Sequence, residues 1–395
     1  MTQGSSVVGL FAGIGGIEQG LALSGHSTEM LCEIDPGALA VLRDRMPGVE
    51  LRTDIAELRS LPVVDVVTGG FPCQDLSQAG RTAGISGARS GLVDKALHLV
   101  RRKRGGPRWL LLENVPFMLQ LDRGRAMRHL TEKLDELGYR WAYRVVDARA
   151  FGLPQRRLRV MLLASRTEDP RTVLFADDTA PVLPGLEDAP LHDCGFYWTE
   201  GLRGLGWAVD AVPTLKGGST LGIASPPAVW RRDGHETGLG IVTPGLADVE
   251  RLQGFDAGWT RASVEQAGTR AGHRWKLVGN AVPVPMAAWV GRRLREPGEY
   301  DGRGDRGLQP GDAWPQAAWG RGGVAYRADV STWPVAEPYQ HLEEYLTDPK
   351  PLSARATAGF LQRAETGNLR FVDGFLDDVR GHLDLMRQQE RRRAA

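Results

Sequence analysis

Residues 7–23 read VVGLFAGIGGIEQGLAL. Val7–Leu10 is an apolar run of the length of a short buried strand, and Ile17–Leu23 has helical character. The glycines between them let backbone and ligand approach closely, and the helix N-terminus that follows favours negatively charged groups. A dinucleotide fingerprint would need a third glycine where this chain has Glu18, which disfavours a nicotinamide cofactor. The same alternation continues outward. Glu29–Ile34, Val63–Thr68, Trp109–Leu112, Trp141–Val146 and Val160–Ala164 read as strands. Pro36–Arg45 reads as a helix with proline in its first turn, and Asp122–Leu137 as one with Met127, Leu130, Leu134 and Leu137 on a single face. Strand–helix alternation of this kind predicts an α/β fold with a doubly wound, mostly parallel sheet, whose ligands lie beyond the carboxyl ends of its strands.

At 395 residues the chain can hold two or three domains, and its 42% apolar and 25% charged content is that of a globular protein. A net charge of +1 does not mark a binder of polyanions in bulk, although a local basic patch can sit inside a balanced total. The three cysteines, Cys32, Cys73 and Cys194, have no repeated spacing. That excludes a disulfide framework and a CxxC metal site and fits a reducing compartment. No signal peptide and no membrane span is visible, so a cytoplasmic protein is expected.

The strand ends carry the chemistry. EID places Glu33 where a carboxylate can hold ribose hydroxyls, with Ile34 as an apolar face for a base; TDI adds Asp54, placed to accept from an amino group. GGFPCQDLSQAG, residues 69–80, sets Cys73 at the mouth of a long glycine- and serine-rich loop, the setting of a nucleophile rather than of a core thiol. LLLENVP brings Glu113 and Asn114 to the same edge, where a carboxyl beside a thiolate tends to hold its proton and can donate it. FGLPQRRLRV adds Arg156, Arg157 and Arg159, with Arg157 and Arg159 expected to share a face.

In this order, FAGIGG, EID, TDI, GGFPCQDLS, ENV, QRRLR, ERLQGF and GNAVP resemble the blocks of the DNA (cytosine-5) methyltransferases, over roughly residues 5–295. The resemblance implies a Rossmann-like methyltransferase domain that uses S-adenosylmethionine, releases S-adenosylhomocysteine and needs no metal. Cys73 would add to carbon 6 of a cytosine flipped out of double-stranded DNA. Glu113 would protonate ring nitrogen 3, and Arg159 would hold the exocyclic oxygen with Arg157 nearby. Phe11, Gly13, Gly16, Glu33, Ile34, Asp54, Ile55, Gly70, Pro72, Leu92 and Asn280 match the cofactor-contacting positions. Gln74 and Ser77 match positions near the flipped nucleotide, on a loop expected to close over DNA. Many relatives carry Asp where this chain has Gly9.

Residues 167–271 lose helical period and read as a smaller, irregular target-recognition domain, in which Thr214, Lys216, Arg231 and Arg232 are DNA-contact candidates. The cofactor domain is then discontinuous, 1–166 plus 272–297, with the helix after GNAVP returning to pack beside the first one. Residues 298–323 read as a linker or irregular loop, and the chain to 395 as a helical C-terminal extension that either covers core or adds a DNA contact. A monomer is expected, with a companion restriction endonuclease or other modification enzyme as a partner in the cell. Rival readings are a tRNA substrate, a module that binds DNA without turnover, and a thiol hydrolase, which would lack a His partner for Cys73.

Overall fold

The computed structural model describes residues 4–71, 91–101, 106–181, 183–197, 206–217, 227–366 and 371–394. The main sheet uses β1 (Ser6–Leu10), β2 (Ser27–Cys32), β3 (Glu50–Arg52), β4 (Val66–Gly70), β5 (Trp109–Asn114), β6 (Arg140–Asp147) and β8 (Leu158–Ser165), together with β14 (Arg306–Gly307), β15 (Ala317–Arg321) and β16 (Val324–Arg327). Its order is β14-β16-β15-β6-β8-β5-β4-β1-β2-β3. The five strands β3 to β5 in that order run parallel, and β8, β6, β15, β16 and β14 add antiparallel. Chain order reverses between β1 and β4, so a crevice opens at the carboxyl ends of these two strands.

Both faces of the sheet are covered, which is why its strands read as continuous apolar runs. On β1, Val7 points to one core while Val8 and Leu10 point to the other. Helices α1 (Gly16–Leu23) and α2 (Pro36–Arg45) cover the first face; α3 (Gly91–Val100) and α4 (Arg125–Glu136) cover the second. Met127, Leu130 and Leu134 of α4 are fully buried, as their spacing predicts. Asp35 caps α2 by accepting from the Gly37 and Ala38 amides.

A second sheet, β10-β9-β12-β13-β17, belongs to the recognition region. Its strands are β9 (Cys194–Tyr197), β10 (Gly206–Val209), β12 (Ala228–Trp230), β13 (Ile241–Thr243) and β17 (Lys350–Pro351). A short parallel pair joins β7 (Gln155–Arg156) to β11 (Val212–Pro213). Alternation again divides the residues. Val229 and Val242 face the main core, whereas Phe196, Trp230 and Ile241 face two helices of the tail, α8 (Ala354–Thr366) and α9 (Phe375–Ala394).

Three boundaries differ from the sequence expectation. The segment around α5 (Leu246–Arg251), expected in the recognition region, packs into the main core through Val249, Leu252, Phe255 and Trp259. Its apolar residues are brought there by long-range bonds that no local period reveals: Trp259 Nε1 donates to the Ile14 carbonyl, and Arg45 to the Gly258 and Trp259 carbonyls. The stretch 298–323, expected as a linker, instead holds β14 and β15, and β15 pairs with β6 from Ala317↔Arg144 to Gly320↔Trp141. Gly322 and Gly323, both at positive φ, turn β15 into β16 as a two-residue hairpin, a signal the linker reading cut in half. The extension, expected to cover core or to add a DNA contact, does cover the second sheet, and beyond that expectation it lends the sheet a strand, β17.

Candidate active site

At the carboxyl end of β1 the chain turns through Phe11, held at φ 54°, and Gly13, at φ 56°. Such a conformation in a non-glycine residue marks a site that its surroundings hold in place. The Gly13 amide donates to Glu33 Oε2 at 2.7 Å, and Glu33 Oε1 accepts from the Ile34 and Asp35 amides at 2.8 Å each. One carboxylate therefore ties the glycine turn to the end of β2 and keeps acceptor capacity for one further donor. Asp54 caps the next turn through Oδ1 from the Ala56 amide.

These groups line a cavity of about 360 Å³, within the range of small-molecule sites. Phe11, Gly13, Glu33, Ile34, Asp54, Ile55, Gly70, Leu92 and Asn280 all line it. Ile34 is 70% exposed, an apolar side chain presented to a ligand rather than to the core. The sequence reading missed Cys32, Asp35, Thr53 and Lys276, which also line it. Asp35 is shared between its helix cap, His273 Nε2 at 2.8 Å and Lys276 Nζ at 3.7 Å. Burial would raise its pKa, but the His273 bond and its other partners prevail and hold it below the usual value.

Gly16 departs from expectation. It is not part of the cavity lining; a Cβ there would lie 2.3 Å from the Val282 carbonyl oxygen. Its role is the close approach of α1 to the segment that opens α7 (Val284–Arg295), and Ser24 Oγ bonds the Ala288 carbonyl further along the same contact. At Gly9, where many relatives carry Asp, a Cβ would lie 2.4 Å from Glu18 Oε1, so a buried carboxyl from α1 occupies that space and accepts from Thr68 Oγ1.

Register places Gly70 of β4 opposite Glu113 of β5, and Glu113 Oε2 lies 3.5 Å from where a Gly70 Cβ would be. Arg159 Nε meets Glu113 Oε1 at 2.8 Å, both side chains nearly buried. Burial raises the Glu113 pKa above the usual carboxylate value, against the lowering pull of Arg159 and Arg157. Asn114 Nδ2 donates to the Phe71 carbonyl and so fixes the last described residue before the cysteine. Pro72, Cys73, Gln74 and Ser77 lie outside the described residues.

Arg157 does not share the position of Arg159. It is 0% exposed, and its guanidinium donates to the carbonyls of Leu215 at 2.8 Å, Gly279 at 3.0 Å and Ala281 at 2.7 Å. The residue bridges two strands and turns inward, so it is a clamp between the QRRLR, PTL and GNAVP blocks rather than a substrate contact. Gln155 and Gln253 complete this knot: Gln155 Nε2 reaches the Leu252 carbonyl, Gln155 Oε1 receives the Leu215 amide, and Gln253 Nε2 reaches the Val278 carbonyl. Sequence reasoning missed both glutamines, although each sits inside a quoted block. Glu250 of ERLQGF is also fully buried and accepts from the Gly258 and Thr260 amides and from Arg274.

Of the expected DNA contacts, Lys216 is exposed. Thr214 is partly exposed and donates its hydroxyl to the Arg156 carbonyl at 2.7 Å. Arg231 is instead an internal strut, paired with Asp193 at 3.3 Å and Asp233 at 3.1 Å, while its neighbour Arg232 is exposed.

Comparison with known proteins agrees with this geometry. The family described as C-5 cytosine-specific DNA methylase matches residues 5–184. The Type II methyltransferase M2.BsuMI of Bacillus subtilis (strain 168) is 50% identical over 385 residues, 94% of this chain and 97% of that protein. The Type II methyltransferase M.BanI of Aneurinibacillus aneurinilyticus is 36% identical over 176 residues, 43% of this chain and 40% of that one. Among solved structures, the S. pombe Dnmt2 methyltransferase superposes with a TM-score of 0.53 at 17% identity, covering 74% of this chain and 98% of its own. Among the described residues no helix is long and apolar enough to cross a membrane.

Proposed function

The chain belongs to the C-5 cytosine-specific DNA methylases, and from that premise we propose that it methylates carbon 5 of a cytosine swung out of double-stranded DNA, through a transient bond to Cys73. The observation that carries the reading is the position of Gly70, which lines the cavity and stands in register with Glu113. A methyl donor held in the cavity and a base held at Glu113 would be neighbours across one strand end.

The cavity fits S-adenosylmethionine. Glu33 and Asp54 offer carboxylates to the ribose and the base amino group, exposed Ile34 offers an apolar face, and the Phe11–Gly13 turn leaves room for close approach. When bound, S-adenosylmethionine supplies the electrophilic methyl group that carbon 5 takes up, and leaves as S-adenosylhomocysteine. The Cys73 thiolate adds to ring carbon 6, which raises electron density at carbon 5. Glu113, whose pKa burial raises, gives a proton to ring nitrogen 3. Arg159 holds Glu113 in place and donates to the exocyclic oxygen. As carbon 5 takes up the methyl group, ring nitrogen 3 returns its proton to Glu113; loss of the carbon-5 proton to water, with departure of the Cys73 thiolate, then restores the aromatic ring. Arg157 positions the blocks around the site without touching the reacting atoms. The recognition sheet, with its tail helices, carries the choice of target.

The test is transfer of a tritiated methyl group from labelled cofactor to mixed-sequence duplex DNA, with tRNA as the competing acceptor. Label in DNA at cytosine carbon 5 is expected; label in tRNA alone overturns the substrate assignment.

A further inference from the structure

Two histidines and an aspartate converge on one point, outside every block named above. His192 precedes β9, Asp210 forms the turn after β10, and His341 belongs to the tail. Asp210 Oδ2 lies 2.6 Å from His341 Nδ1 and 3.6 Å from His192 Nδ1. The two imidazoles stack with centroids 5.5 Å apart and planes 15° apart. All three candidate ligand atoms lie within 4.8 Å of one another.

The aspartate is held for this task. It sits at φ 49°, a strained conformation for a residue with a side chain, and its carboxylate is 4% exposed. Its Oδ1 accepts from the Leu342 amide at 2.9 Å, and its main-chain carbonyl accepts from the Tyr339 hydroxyl. Those bonds fix the carboxylate and leave Oδ2 directed at both rings. Oδ2 is hydrogen-bonded to His341, yet a second imidazole is brought to the same oxygen at a distance too long for a hydrogen bond.

We propose that His192, Asp210 and His341 bind a zinc ion that clasps the tail to the recognition sheet. Two ligands about 2.1 Å from a tetrahedral ion are about 3.4 Å apart, and the Asp210–His192 separation of 3.6 Å already meets that spacing. The Asp210–His341 pair opens by under about 1 Å to admit the ion, with the half-exposed His341 ring moving outward from its hydrogen bond to Asp210. The ion then takes the place of the shared proton, and water completes the coordination. A set of two imidazoles and one carboxylate selects a borderline metal such as zinc over magnesium or calcium, which want oxygen ligands. Because His192 and Asp210 come from the recognition region and His341 from the tail, binding favours the docked tail by mass action.

The test uses the full-length chain stripped of metal by a chelator and titrated with zinc chloride in a calorimeter. One equivalent is expected to bind, with a zinc-dependent rise in Tm. His192→Ala removes a ligand but leaves the Asp210–His341 hydrogen bond, so the variant folds; its zinc affinity should fall at least about ten-fold. His341→Ala should behave likewise. His129→Ala, at a surface His–Asp pair elsewhere in the molecule, should bind as the parent does. Cobalt in place of zinc should give a visible spectrum without thiolate charge transfer, since no cysteine is a ligand. Absence of saturable binding, binding unchanged in both His192→Ala and His341→Ala, or a thiolate band each overturns the proposal.

Discussion

Cys32 and Cys194 show by contrast what the nucleophile needs. Burial, with Glu33 and Asp54 adding to it, pushes the Cys32 thiol up to about 11; burial pushes Cys194 up to about 12. Both remain protonated and inert near neutrality, which supports Cys73 as the reactive thiol. DNA carrying 5-fluorocytosine should therefore trap a covalent adduct with the parent, Cys32→Ala and Cys194→Ala, and none with Cys73→Ala, as read on a denaturing gel. Glu113 gives the pH dependence. Burial raises its pKa, so the proton it donates persists to higher pH than on a free carboxyl and is lost as pH rises through that raised value. The single-turnover rate should fall on that alkaline limb, and Glu113→Gln should lower it about 10²–10⁴-fold at the optimum. Arg157 makes a different prediction. Arg157→Ala removes a buried guanidinium from three carbonyls and should cost about 3–5 kcal/mol in urea unfolding.

Among the elements, the contact of α1 with the segment leading into α7 decides whether a discontinuous cofactor domain closes. Gly16 lies against the Val282 carbonyl, while Ser24 and His26 bond the Ala288 and Gly291 carbonyls at the other end. Gly16→Ala forces backbone apart and should cost about 1–3 kcal/mol. Since Gly16 packs a helix rather than lining the cavity, calorimetric affinity for S-adenosylhomocysteine should change little in the folded variant; a large loss with unchanged stability would restore Gly16 to the cofactor contacts. The glycine turn, the Glu33 strand end and α2 with its first-turn proline were all legible because each is local. The β15–β16 hairpin was equally local, yet its glycines stand among other glycines and prolines, and a short edge strand offers too few residues to show a period.

For the whole molecule, the tail is structural before it is anything else. Its β15 covers the edge of β6, and α8 and α9 bury the aromatic cluster of Phe196, Trp207, Trp230, Phe360 and Phe375 over the recognition sheet. Removal of residues after Pro297 should therefore yield a chain that binds hydrophobic dyes and loses cooperative unfolding, instead of a folded enzyme with altered DNA affinity. A soluble, cooperatively folding truncation would show that the tail is dispensable.

By itself the sequence determined the parallel half of the sheet and brought Glu33, Asp54 and Glu113 to its strand ends, because strand ends and their turns are set by residues adjacent in the chain. Only the tertiary structure decided that Arg157 clamps and Arg159 reaches Glu113, that Arg231 is an internal strut, and that the tail completes two sheets. Those outcomes depend on which carbonyls and carboxylates distant segments bring within about 3 Å, and hydrogen bonding of that kind leaves no period in the chain.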